Sequence, residues 1–130
     1  MAKGKVGLGR RGETLAARVL ERQGFTIVRR NWYCVAGEVD IVAVRQGELT
    51  FFEVRTRRGA AYSSPEQSVT PRKRARMEAV ARRYLAAECT VLDPSWHLGL
   101  VAVVLDRTGK LQRITLYPDV GGEPWPGNFA

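Results

Sequence analysis

The tightest constraint in this sequence is a pair of alternating runs on either side of a two-residue turn. Residues 37–45 read GEVDIVAVR, residues 48–55 read ELTFFEVR, and Gln46-Gly47 lies between them. Period-two runs joined by a short Gly-containing turn are the signature of a β-hairpin. A two-residue turn also fixes the register. It sets Arg45 opposite Glu48, Asp40 opposite Glu53 and Glu38 opposite Arg55. Side chains alternate faces along a strand, so Glu38, Asp40, Glu53 and Arg55 share one face of the hairpin.

A lone hairpin is marginal in water and needs a larger sheet and a core. The rest of the chain predicts both. Leu15, Ala16, Val19 and Leu20 repeat at helical spacing within residues 10–23, and Gly24 marks the stop. A short β-rich run follows over 25–30, then a loop or strand edge over 31–36 carrying Trp32 and Tyr33. Thr70-Pro71 is a helix start, with Thr as N-cap and Pro at the first helical position. That helix is expected to run to about residue 87, with Met77, Val80, Ala81, Tyr84 and Leu85 as its apolar stripe. Residues 98–105 and 111–117 read as strands with a turn at Gly109. Residues 1–9 read as loose, 58–70 as a loop and 118–130 as a Pro/Gly-rich tail. The expectation is one α/β domain over 1–117, a central mixed sheet flanked by helices. The 130 residues fit one domain.

Charge narrows the function. Lys and Arg number 21 against 13 Asp and Glu, a net charge of +8. The hairpin region 36–54 carries 1 basic and 4 acidic residues, whereas 1–35 carries 8 and 2 and 55–84 carries 9 and 2. An acidic island between basic flanks suits a polyanion, most commonly nucleic acid. Arg30, Arg57, Arg58, Arg72, Lys73 and Arg76 are the expected phosphate contacts, with Arg29 and Arg83 beside them. The set contains no base-reading motif, so recognition by shape is expected. The alternative is that arginine stems cover apolar surface. Trp32 and Tyr33 either stack on unpaired bases or close the core edge.

Other classes fall away. The single histidine, His97, and the widely spaced Cys34 and Cys89 argue against a Cys/His zinc site and a disulfide framework. The cysteines read as reduced thiols of a cytoplasmic protein. No apolar run approaches the length of a membrane span. Gly7-Leu8-Gly9-Arg10-Arg11-Gly12 matches GxGxxG but follows no strand, so the dinucleotide-binding context fails. Chemistry is left to carboxylates, lysine, arginine and a hard metal.

Three carboxylates on one face of a hairpin repel one another. A divalent cation relieves this: Mg²⁺ takes one or two carboxylates together with waters and substrate phosphate. Bound there, it activates water and offsets charge on a phosphodiester. The competing reading is a solvated sheet face with a Glu38–Arg55 ion pair.

The segments GRRGETLAARVLERQGFTIVRRN, GEVDIV, TFFEVRTR and TPRKRARMEAVARRYL together resemble the YraN-like family. Those small bacterial proteins are predicted endonucleases related to Holliday junction resolvases, within the restriction-endonuclease-like superfamily with the PD-(D/E)xK motif. The resemblance spans roughly residues 7–105. It implies an αβββαβ core, Mg²⁺ or Mn²⁺, and phosphodiester hydrolysis. By position it assigns Asp40 and Glu53 as the metal-binding acids, Arg55 to the place of the motif lysine, Glu13 as the helix-borne acid and Glu38 as the acid before the motif aspartate. Glu13 reads equally as a fourth carboxylate of the metal site and as a favourable charge at a helix N-terminus. Structured or branched DNA is the substrate class implied, and a homodimer would suit paired cuts. Two departures matter. Arg55 keeps the charge of the motif lysine but cannot act as a base. Residues 97–99 read His-Leu-Gly where the family often has Arg-Phe-Asp. Lys73 is a second source of an ammonium, or simply a solvated charge. A non-catalytic nucleic-acid binder on the same fold is the alternative.

Overall fold

The computed structural model describes residues 6–59, 69–89 and 94–130. Two helices and five strands follow one another as α1 (Val6–Arg22), β1 (Thr26–Cys34), β2 (Gly37–Arg45), β3 (Glu48–Arg58), α2 (Pro71–Glu88), β4 (Trp96–Leu105) and β5 (Leu111–Tyr117). The strands form one mixed sheet in the order β1-β2-β3-β4-β5. β3 and β4 are parallel, and every other neighbouring pair is antiparallel. A parallel pair needs a crossover, and α2 lies between β3 and β4 in the chain.

The hairpin forms as expected. Gln46 and Gly47 both have positive φ, 53° and 79°, as a two-residue type I′ turn requires. Pairing runs from Arg45↔Glu48 to Ile41↔Phe52. Thr70 caps α2, its side chain accepting the Lys73 N–H at 3.1 Å, with Pro71 at the first helical position.

The sheet separates two apolar clusters. Ala16, Ala17, Val19 and Leu20 of α1 pack with Phe25, Ile41, Ala43, Phe52, Val101, Val103 and Ile114. Val80, Ala81 and Tyr84 of α2 pack with Trp32, Val42, Phe51 and Leu100 on the other side. Two glycines permit close approach. A Cβ on Gly12 would overlap Thr56 Oγ1, so α1 crosses β3 there. A Cβ on Gly99 would meet the Phe52 ring at 2.7 Å. Gly12 of the GxGxxG match thus serves helix–sheet packing.

Several expectations need correction. α1 begins at Val6, so residues 6–9, read as loose, are helical; residues 1–5 lie outside the described set. Residues 31–34 extend β1, at the sheet edge, and 35–36 turn, as one of the two readings for 31–36 has it. Residues 60–68 of the expected loop also lie outside the described set. Residues 118–130 are packed against the domain. The Val120 N–H donates to Leu98 O at 2.7 Å, Trp125 N–H to Leu116 O at 2.9 Å and Phe129 N–H to Ile114 O at 3.0 Å. Asn128 Oδ1 accepts from the Ile114 N–H. The Trp125 ring lies 5.9 Å from that of Phe25. Proline and glycine let this segment turn, but its spaced apolar residues pin it to the sheet.

His97 ties the C-terminal segment down. Its Nε2 lies 2.6 Å from Glu48 Oε1 of β3 and its Nδ1 3.1 Å from Asp119 Oδ1. Arg45 lines the same surface hollow. The Glu48 hydrogen bond raises the His97 pKa above its ordinary 6.5, with Asp119 adding to it. Doubly protonated, the ring donates to both carboxylates; neutral, it donates to only one. A histidine whose pKa rises on folding contributes stability that is full below about 6.5 and fades as pH climbs through the folded value. Urea unfolding of wild type and His97→Gln should therefore differ most near pH 6, and the gap should shrink by pH 9. A constant gap would refute this role.

Candidate active site

β2 and β3 stop pairing where the acids begin. Hydrogen-bonded rungs alternate along an antiparallel pair, so after Ile41↔Phe52 the Val54 N–H would belong to Val39 O. It donates instead to Asp40 Oδ2 at 2.8 Å. The rungs Asp40–Glu53 and Glu38–Arg55 expected from the turn are absent from the described ladder. The Asp40 carboxylate has replaced a backbone acceptor, and the strands part around it.

This parting opens a cleft of about 370 Å³. Its walls come from both helices and from the separated ends of β2 and β3. Glu13 of α1, Glu38 and Asp40 of β2, Glu53, Arg55 and Arg57 of β3, and Lys73 and Arg76 of α2 all line it. The four acids assigned from sequence thus meet in one place. Asp40 and Glu13 are buried, at 8% and 9% exposure. Glu53, Arg55 and Arg57 form an i, i+2, i+4 row on one face of β3.

Cations surround Glu53. Lys73 Nζ lies 3.0 Å from its Oε2, and Arg55 Nη1 lies 3.4 Å from the same oxygen. Lys73 is thus part of the site, reaching in from the first turn of α2. The Arg57 Nε is buried without a hydrogen-bond partner among the described residues.

The other basic residues divide. Arg30 does not line the cleft, but its Nη2 lies 3.9 Å from Oε1 of Glu13, which does. Arg72 is exposed at the start of α2 and does not line the cleft. Arg58 turns away, donating to Arg107 O at 3.3 Å. Arg29 stands 3.8 Å from Glu88. Trp32 is buried against Tyr84, whereas Tyr33 is 59% exposed. Asn31, to which the sequence pattern assigns no role, holds a positive φ of 53° between the rungs Arg30↔Ile41 and Trp32↔Val39, level with Asp40.

The donor set suits one kind of ion. Among the described residues, no group of three or more His, Cys, Asp or Glu side chains is arranged to hold a metal. An all-protein cage is therefore not the fit. Two hard carboxylates, Asp40 and Glu53, in a roomy cleft do match an ion that keeps most of its shell for water and phosphate. Neither Cys34 nor Cys89 forms a disulfide. No helix among the described residues is long and apolar enough to cross a membrane.

The sequence profile described as "Uncharacterised protein family UPF0102" matches residues 12–105, which hold every acid of the cleft. The chain belongs to the UPF0102 family. A UPF0102 protein of Roseiflexus castenholzii is 47% identical over 96 residues, covering 74% of this chain and 77% of that protein. One from Acidothermus cellulolyticus is 49% identical over 114 residues, covering 86% of each. One from Herpetosiphon aurantiacus is 36% identical over 110 residues, covering 82% of this chain and 89% of its own. The UPF0102 match starts at the α1 glycine that touches β3 and ends with β4, so it takes in α1 from Gly12 onward, all of α2 and four of the five strands.

Proposed function

We propose that this protein is a cytoplasmic metal-dependent endonuclease with a restriction-endonuclease-like core, acting on nucleic acid and preferentially on structured or branched DNA. The observation that carries this reading is the buried Asp40 pinned by the Val54 N–H in one cleft with Glu53, Lys73 and Arg55. Asp40 and Glu53 would hold Mg²⁺ or Mn²⁺. When bound, the ion supplies an activated water and charge stabilisation for a phosphodiester. The chain's own groups do the rest. The Val54 N–H fixes the Asp40 carboxylate. Arg55 and Arg57 line the cleft and would offer guanidinium charge to a phosphate. Lys73 holds a transferable proton on Nζ, which an arginine in the same place does not.

A second reading is a nucleic-acid binder without catalysis. It is favoured by one observation: Glu53 already has two cations at hand, Lys73 and Arg55. The test is a panel of labelled substrates: a four-way junction, a flap, single-stranded DNA, duplex DNA and RNA. Each is incubated with Mg²⁺, with Mn²⁺ and with chelator. Metal-dependent products, most from a branched substrate, are expected. Binding that weakens steeply with salt, with no products in either metal, would select the second reading.

A further inference from the structure

We propose that Asn31 is a positioning residue whose left-handed backbone turns the Asp40 carboxylate into the cleft. Three separate observations meet at one rung. Asn31 is one of two non-glycine residues with positive φ among those described, and the other sits in the hairpin turn. The β1–β2 register pairs Arg30 with Ile41 and Trp32 with Val39, but the rung between them, Asn31 opposite Asp40, is missing. Both strands also change faces there. Arg30 reaches Glu13 of α1 and Ile41 packs with α1, yet Trp32 and Val39, two residues along each strand, pack with α2. Strict alternation would keep residues i and i+2 on one side.

Residue chemistry gives the causal order. Left-handed backbone is costly for most L-residues and is tolerated best by Gly, with Asn, Asp and His next. Such conformations persist where the surroundings impose them, and they gather at functional sites. One left-handed residue in β1 reverses the facing of the strand residues after it. Asp40, directly across, leaves the ladder, and its side chain takes the Val54 N–H. Without the break Asp40 would be an ordinary rung, and Val54 would bond to Val39 O. Asn31 thus acts through Asp40, and its backbone conformation is the feature that matters.

The geometric part stands alone; its consequence for an ion rests on the nuclease reading above. The test compares Asn31→Gly, which keeps the left-handed region open, with Asn31→Ala, which does not. Two readouts are taken on the full chain: amide exchange at Val54 and Mn²⁺ affinity by calorimetry. Asn31→Gly should match wild type within twofold on both. Asn31→Ala should exchange at Val54 at least tenfold faster and bind Mn²⁺ about tenfold more weakly, with far-UV circular dichroism unchanged. If Asn31→Ala does not fold, Asn31→His, which also tolerates this region, takes its place and should follow the glycine variant. Wild-type values in Asn31→Ala would overturn the proposal, as would equal losses in the glycine and histidine variants. If wild type binds no Mn²⁺ while Val54 exchange still separates the variants, the nuclease reading fails and the positioning stands.

Discussion

Asp40→Asn should abolish metal-dependent cleavage while leaving the fold in place. The substitution keeps an oxygen that accepts from the Val54 N–H, the bond that holds Asp40 at 2.8 Å. It removes the negative charge that would bind the ion. Losing one preorganised charge-stabilising group costs roughly 10²–10³ in rate, and loss of the ion itself costs more. Asp40→Ala is the instructive companion. It strips the acceptor as well, so the half-buried Val54 N–H on the cleft wall loses a hydrogen bond to a charged group, about 1.5–3 kcal/mol. Partly offsetting that, it removes the repulsion of the Asp40 carboxylate with Glu13, Glu38 and Glu53 in the cleft. Both variants should therefore be inactive, and Asp40→Ala should also unfold at lower urea. The measurements are initial rates on the best substrate of the panel and urea midpoints. Asp40→Asn cleaving within about threefold of wild type would remove Asp40 from the metal site, since a carboxamide is a far weaker ligand for a hard cation.

The fold was largely legible because its signals are local. Gln46-Gly47 sets a turn, Thr70-Pro71 starts a helix, and alternation in residues 37–55 defines the hairpin. Those cues act over a few residues and need no tertiary context. A local reading of the C-terminal segment fails for the opposite reason. Its turn-rich composition dominates that reading, whereas Val120, Trp125 and Phe129 gain order from contacts distant in sequence, with Leu98, Ile114, Leu116 and the Phe25 ring.

The candidate site was legible in membership and wrong in geometry. Simple hairpin register put Glu38, Asp40, Glu53 and Arg55 together, and they do line one cleft. The register itself does not continue past Ile41↔Phe52. The cause lies in β1, a different strand, where Asn31 breaks the neighbouring rung. Asn within a strand-like run was the available signal, because that residue tolerates left-handed backbone. Lys73 was ambiguous for a similar reason. Its distance from Glu53 depends on how α2 packs across the sheet, which no local pattern encodes.

Lys73→Met should move catalysis and metal affinity in opposite directions. Lys73 Nζ is 3.0 Å from Glu53 Oε2, with the two side chains 28% and 14% exposed. Removing a cation beside an acid leaves that acid more attractive to another cation. For a partly exposed pair the effect is ~1 kcal/mol, or about threefold to tenfold tighter Mn²⁺ binding. Cleavage should nonetheless fall by roughly 10²-fold, the typical cost of a lost proton-transfer group. Arg55 remains at 3.4 Å from the same oxygen and keeps the charge, but it has no proton to trade. Adding Arg55→Lys to Lys73→Met should then recover part of the lost rate, because it returns an ammonium to the row that holds Glu53. Calorimetry and single-turnover rates on the same preparations read both effects. If Lys73→Met weakens Mn²⁺ binding and cleavage together, Lys73 acts by holding Glu53 in place. If cleavage is untouched, the ion pair is structural and the proton must move through another group.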